Sequence, residues 1–294
     1  MLSYRSRIAV LVFLTPPLLV YLVAVVLPIF QSLYLSLFEW DGIFDPEFVG
    51  LGNYVKMFTA DPSFWGSLGR SLVYVAITLV FQLGVALLVA NLLTYAIRGR
   101  EVIKTLVVLP AIVSTVAIAL LFRRLYSYDP PGLINQLLKW VGLEVLTRAW
   151  LSDLGTVLTA VSVPEGWRFF GIYMLILYGG LLAVPRDLEE AAKLDGATEW
   201  QIFRYVRFPY LRPVWITTAI MATTNALRGF DIPYLLTNGG PGESSELLTT
   251  YMYKTAFAHT EFGYASALSV AIVLECLIAV GLILFMVRKR GFTV

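Results

Sequence analysis

Four ionisable side chains, Arg168, Arg228, Asp231 and Glu275, stand inside long apolar runs of a 294-residue chain. A charge left alone in hydrocarbon costs on the order of several kcal/mol, so each of them must face a protein interior or a wet cavity. The chemistry open to them there is recognition, ion pairing or ion coupling. The chain itself reads as non-catalytic. Its single His259 lies in a polar stretch and its single Cys276 in an apolar run, too few to assemble a metal site or a disulfide, and no nucleophile is set beside a base. Arg228 and Asp231 are three residues apart and pair with each other if they share a helix; the other reading is a polar patch along a solute path. The four groups sum to zero charge. That leaves open interior ion pairs that hold a bundle together, and recognition of an acidic or phosphorylated solute, for which arginine's planar fork is the fitting donor. In a third reading Asp231 and Glu275 are the ion-coupling carboxylates of a secondary transporter.

The elements that must position these groups follow from the apolar pattern. Of the residues 58% are hydrophobic and 14% charged, more apolar surface than a soluble core can hide, and the net charge of +2 gives no field that points to nucleic acid. Runs long enough to cross a bilayer, about 20 residues at the helical rise, cover 8–30, 71–97, 105–122, 154–184, 213–236 and 262–287. The first is read as a span and not a cleaved leader, because it is long and no small-residue cleavage site follows Val26-Leu27-Pro28. The fourth is expected to be discontinuous at Pro164-Glu165-Gly166, where freed backbone groups need protein, water or solute. Arg168, Arg228 and Asp231 then fall in the outer halves of spans four and five and Glu275 near the midplane of span six, placed to converge. Thirteen basic residues lie in the segments assigned inside, Arg5 to Arg290, against seven outside, which puts both termini in the cytoplasm. The expected fold class is an all-α polytopic membrane protein, one domain of about six transmembrane helices. The outer loops near 39–68 and 123–153 are expected to be short helices and turns.

The loop at 185–212 carries the most information. Asp187 is placed to cap a short helix with Glu190 at its third position, and Gly196 to end it in the left-handed conformation; Thr198 and Gln201 repeat the capping pattern for a second helix. Periodicity alone also allows a plain amphipathic connector on a membrane surface. The residue types go further. Glu190-Ala191-Ala192, then Gly196, then Val206-Arg207-Phe208-Pro209 resemble the EAA loop of bacterial ABC-importer permeases, with two hydrophobic substitutions at its end. Leu236-Thr237-Asn238-Gly239-Gly240-Pro241-Gly242 and Gly263-Tyr264-Ala265-Ser266-Ala267-Leu268-Ser269, with Asn53-Tyr54 and Trp167-Arg168, are similar to signatures of the carbohydrate branch, the maltose-type permeases.

This resemblance implies a type I importer permease whose loop, through Glu190, Ala191, Ala192, Asp195 and Gly196, docks in a cleft of an ATPase subunit. It implies a sugar site near Arg168, Phe169, Ile172, Asn225 and Arg228, with ring faces against C–H surface and an amide for hydroxyls. The chain has no G-x-x-x-x-G-K-[ST] loop, so it holds no cofactor of its own and ATP with magnesium belongs to partner subunits. The implied partners are two ATPases, a second permease, an extracytoplasmic solute-binding protein and the lipid bilayer. Arg168, Arg228 and Glu275 are a departure from what a neutral-sugar site wants.

Overall fold

The computed structural model describes residues 4–95 and 98–289. The end of the second predicted span, at 97, and Arg290 of the positive-inside pattern lie outside them. Among the described residues the regular structure is helical apart from one pair of two-residue strands. Three continuous helices are long and apolar enough to cross a membrane: α1 (Val12–Leu35), α3 (Pro62–Leu92) and α13 (Phe262–Lys289). Both α1 and α3 pass through a π turn, at Leu22–Val26 and Val80–Val85.

The third predicted span is not one helix. It divides into α4 (Arg100–Ile112) and α5 (Thr115–Leu125), bent by 101°. Val113 is extended, and the Ser114 hydroxyl accepts the Ala117 N–H at 3.3 Å, so a new N-cap starts inside the apolar run. The fourth span is one unbroken helix, α7 (Val157–Leu182), and the discontinuity expected at Pro164-Glu165-Gly166 is absent. Membrane helices tolerate proline when neighbours cover the freed carbonyl, and Gly166 serves close packing: a Cβ there would stand 2.8 Å from that of Phe81. The break falls in span five. Helix α10 (Phe208–Leu227) stops at Arg228, and a short helix α11 (Asp231–Thr237) follows. The freed backbone of the break is satisfied by protein, since the buried Gly229 carbonyl accepts the hydroxyl of Thr249, on α12 (Leu248–Phe257), at 2.6 Å.

The chain divides into two compact units, 1–64 with 252–273 and 65–251 with 274–294. In the first, the strand pair β1 (Phe38–Glu39) and β2 (Glu47–Phe48) is tied to a short helix α2 (Gly52–Thr59): the Asn53 amide donates to the Ser36 and Phe38 carbonyls at 2.9 and 2.8 Å. Tyr264 is hydrogen-bonded to Asp61, and Gly263 lies so close to the Phe38 carbonyl that a Cβ would reach 2.0 Å from it. The loops expected near 39–68 and 123–153 are short elements and turns only in part: from Pro62 the first is already the start of α3, nine residues before the predicted span at 71, and the second begins with the end of α5 before turns and α6 (Leu133–Trp140).

In the second unit α7 is the hub, packed against α3, α4, α10 and α11. One apolar cluster joins Tyr74, Ile118, Phe122, Val161, Leu227 and Ile232; another joins Ala86, Ala90, Met174, Leu177, Leu211 and Ala222. Small residues let the backbones meet, as is usual where helices have only packing to hold them. Gly171 is the tightest case, because a Cβ there would lie 2.1 Å from the Val107 carbonyl oxygen of α4. Gly171→Ala is therefore expected to force α4 and α7 apart at a cost of about 3 kcal/mol or less. The measurement is the melting temperature and monodisperse yield in detergent; an unchanged melting temperature refutes the close approach.

Candidate functional site: a charged cavity and the loop beneath its walls

Six of the seven residues expected along the solute path meet around two adjoining cavities. One, of about 330 Å³, is lined by Glu165, Arg168, Phe169, Asn225, Arg228 and Asp231; the other, of about 340 Å³, by Phe169, Ile172, Tyr173, Thr224, Asn225 and Arg228. Helix α7 supplies Arg168 and Phe169 and, one turn further on, Ile172. The end of α10 and its break supply Asn225, Arg228 and Asp231. Glu275, on α13, lines neither cavity, and both its carboxyl oxygens are buried without a partner among the described residues. It does not converge with the others.

Glu165 is the cavity residue that sequence reasoning assigned to a helix break. Its spacing of three from Arg168 on a continuous helix was the available signal. Arg228 and Asp231 share no helix, because the break stands between them, and among the described residues no ion pair joins any of Glu165, Arg168, Arg228 and Asp231. Arg168 rests over the Phe169 ring at 4.8 Å, and its Nε is buried without an acceptor among the described residues, as is the Asn225 Nδ2. The cavity thus holds both signs of charge, uncommitted donors and aromatic faces. These are the groups that bind a polyhydroxylated solute, with or without a charge.

Both walls lead directly to the loop at 185–212. Helix α7 turns by 70° into α8 (Arg186–Leu194). The turn α9 (Glu199–Ile202) runs through a π turn at Phe203–Arg207 into α10 without interruption, so the expected second short helix is the root of a rod that ends at the cavity. Gly196 has φ +79° and the Ala197 N–H returns to the Ala192 carbonyl at 2.9 Å, closing α8 as expected. Thr198 and Gln201 form the capping box. Asp187 caps nothing: the helix begins at Arg186 directly after Pro185, which places Asp187 within the first turn, where its charge favours the helix dipole instead.

Glu190, Ala191, Asp195 and Gly196 are exposed and Ala192 half-buried, while Leu194 and Trp200 are 89% and 69% exposed, an apolar and acidic surface without a cover in this chain. The inner side of the loop is held by a residue pair that the sequence did not single out. Arg207, only 5% exposed at its side chain, donates from Nε and Nη2 to the two carboxyl oxygens of Glu189, both at 2.8 Å. Its Nη1 donates to the Tyr95 hydroxyl at 3.1 Å, which in turn donates to Glu199 at 2.8 Å. One guanidinium thus locks α8, the root of α10 and the segment after α3. The Arg207 guanidinium holds the Glu189 carboxyl below its usual range against the opposing effect of burial, and Glu189 in turn raises Arg207.

An all-α fold with membrane-length helices, a charged cavity and a protruding loop under its walls defines a membrane transport subunit. Residues 82–291 match the family described as binding-protein-dependent transport system inner membrane component, and the chain belongs to that family, the permeases of ABC importers. It is 38% identical to the probable ABC transporter permease protein YurN of Bacillus subtilis (strain 168), over 98% of each chain. It is 34% identical to the trehalose/maltose transport system permease protein MalF of Thermococcus litoralis, over 92% of this chain and 90% of the relative. The fold is shared with a chain of the bacterial alginate ABC transporter solved with an alginate pentasaccharide-bound periplasmic protein, at TM-score 0.83, 20% identity and 98% and 97% coverage.

Proposed function

We propose that this chain is one permease half of an importer that carries a sugar or oligosaccharide inward by alternating access, in a cytoplasmic membrane it crosses about six times with both termini inside. The observation that carries this reading is that the helices holding Arg168, Phe169, Asn225 and Arg228 are the same ones that run into the loop bearing Glu190 to Gly196. From Arg207 to Arg228 the rod is about 30 Å long at the helical rise, roughly the thickness of a bilayer core. A tilt imposed at the loop therefore reaches the cavity. The exposed face of α8 is the surface for a separate ATPase, which supplies ATP and magnesium; a second permease subunit completes the path and a solute-binding protein delivers the cargo. Relatives named for trehalose, maltose and lactose favour a carbohydrate. The unpaired arginines keep an acidic sugar as the second reading.

The test is gentle purification of the tagged chain, with co-purifying proteins identified by mass spectrometry. An ATPase bearing a phosphate loop and a second permease are the expected companions, and solute then stimulates ATP hydrolysis. A chain that comes out alone and transports under an ion gradient refutes the importer and turns attention to Glu275.

A further inference from the structure

Helix α3 presents a polar stripe inward at Ser67, Ser71, Tyr74, Thr78 and Gln82, helical steps of four, three, four and four, with none of the five more than 4% exposed. The stripe changes character along its length. Ser67 accepts from Arg70, and Ser71 accepts the Leu248 N–H at 2.9 Å. Beyond them the Tyr74 hydroxyl, the Thr78 hydroxyl and both ends of the Gln82 amide are buried with no partner among the described residues. Four unmade hydrogen bonds in a row are destabilising in this state, and such groups persist where another state or ligand uses them. Gln82 also sits in the π turn at Val80–Val85, a local distortion often found where a helix has work to do. The stripe adjoins the charged cavity: a Cβ at Gly229, on the cavity wall, would lie 3.0 Å from the Tyr74 hydroxyl.

We propose that Tyr74, Thr78 and Gln82 are a further wall of the solute path, closed in this structure against α7 and α10 and opened to the cargo in another state of transport. This rests on the alternating-access reading and adds three contact residues to it. The chemistry fits a polyol, because a hydroxyl and an amide each donate and accept, as sugar hydroxyls do.

Two measurements on the assembled importer in proteoliposomes test it. Thr78→Val and Gln82→Leu remove the orphaned polar atoms at nearly constant volume. The expected result is a melting temperature that is unchanged or higher, with transport of the complex's own cargo reduced about tenfold. Full transport, whatever the stability, means that the stripe is only a hydrated seam, and the proposal falls; lowered stability with lowered transport marks a structural role and also overturns it. The second measurement needs no knowledge of the cargo. In a Cys276→Ala background, Thr78→Cys is expected to react with a small thiosulfonate during ATP turnover and not at rest. A thiol that stays unreactive through turnover refutes the opening, whereas a complex that turns over no ATP indicts the importer reading itself.

Discussion

Arg207→Ala is expected to uncouple ATP hydrolysis from transport, lowering solute moved per ATP at least ~100-fold while the helices of the core still fold. The pair it breaks is bidentate and nearly enclosed, with a third donor bond to Tyr95. Removing one partner of such a pair costs on the order of 3–5 kcal/mol, because the other charge is left buried and alone, and each 1.4 kcal/mol is a factor of ten. That energy is concentrated where α8 meets the root of α10, so its loss frees the loop without touching the cavity. Arg207→Lys keeps the charge and loses the fork, and should fall between. Glu189→Gln in the Arg207→Ala background removes the stranded carboxylate, and partial recovery there would tie the defect to this pair. The pH sign is fixed by Glu189. Its carboxyl is depressed in the folded chain, so the pair's contribution is complete above the ordinary carboxylate value, about 4.3, and disappears only as pH falls through the lower folded value. Coupling should thus be flat from neutral pH down to mild acid. Coupling that collapses near pH 6 would assign the loop's anchor to another group.

How much of this was legible beforehand depends on how local each feature is. The capping box of Thr198 and Gln201, the left-handed Gly196 and the last long helix need only neighbours in sequence, and they stand where the residues put them, whereas the first two long helices are found with shifted ends. Helix breaks do not follow from proline and glycine alone. Pro164 stays within α7, where Gly166 packs closely on Phe81, and the break appears at Gly229, whose carbonyl accepts a hydrogen bond from Thr249, contacts that no local pattern announces. Glu189 and Arg207 are 18 residues apart across a turn, with no periodicity to join them. Of the residues carried over by resemblance or charge, Phe169, Ile172, Asn225 and Arg228 line one cavity, and Arg168 lines the adjoining one with Phe169, Asn225 and Arg228. Asp231 joins them through the adjoining one, whereas Glu275 goes elsewhere, because a position at mid-span gives depth in the membrane and not the face of the helix.

Arg228→Ala is expected to raise the solute concentration that half-saturates stimulated ATP hydrolysis about tenfold or more, with little change in yield or melting temperature. The reason is what Arg228 lacks. An arginine that held the bundle together would be paired, and its removal would strand a buried carboxylate; Arg228 has no ion pair with Asp231 or with any other described residue, so little folding energy is bound up in it. A charged hydrogen bond to a ligand contributes about 1.5–3 kcal/mol, which is a tenfold to hundredfold effect on affinity. Cargo chemistry then separates the two remaining readings. If the importer carries a neutral sugar, Arg228→Ala and Arg168→Ala should weaken saturation to similar, moderate degrees, since each removes donors to hydroxyls. For an acidic sugar the loss should be much larger, and Asp231→Asn, which removes a repelling charge from the same cavity, should improve saturation. Lost yield in Arg228→Ala that is restored by a second change, Asp231→Ala, would return the pair to a structural role and remove the arginine from the solute path.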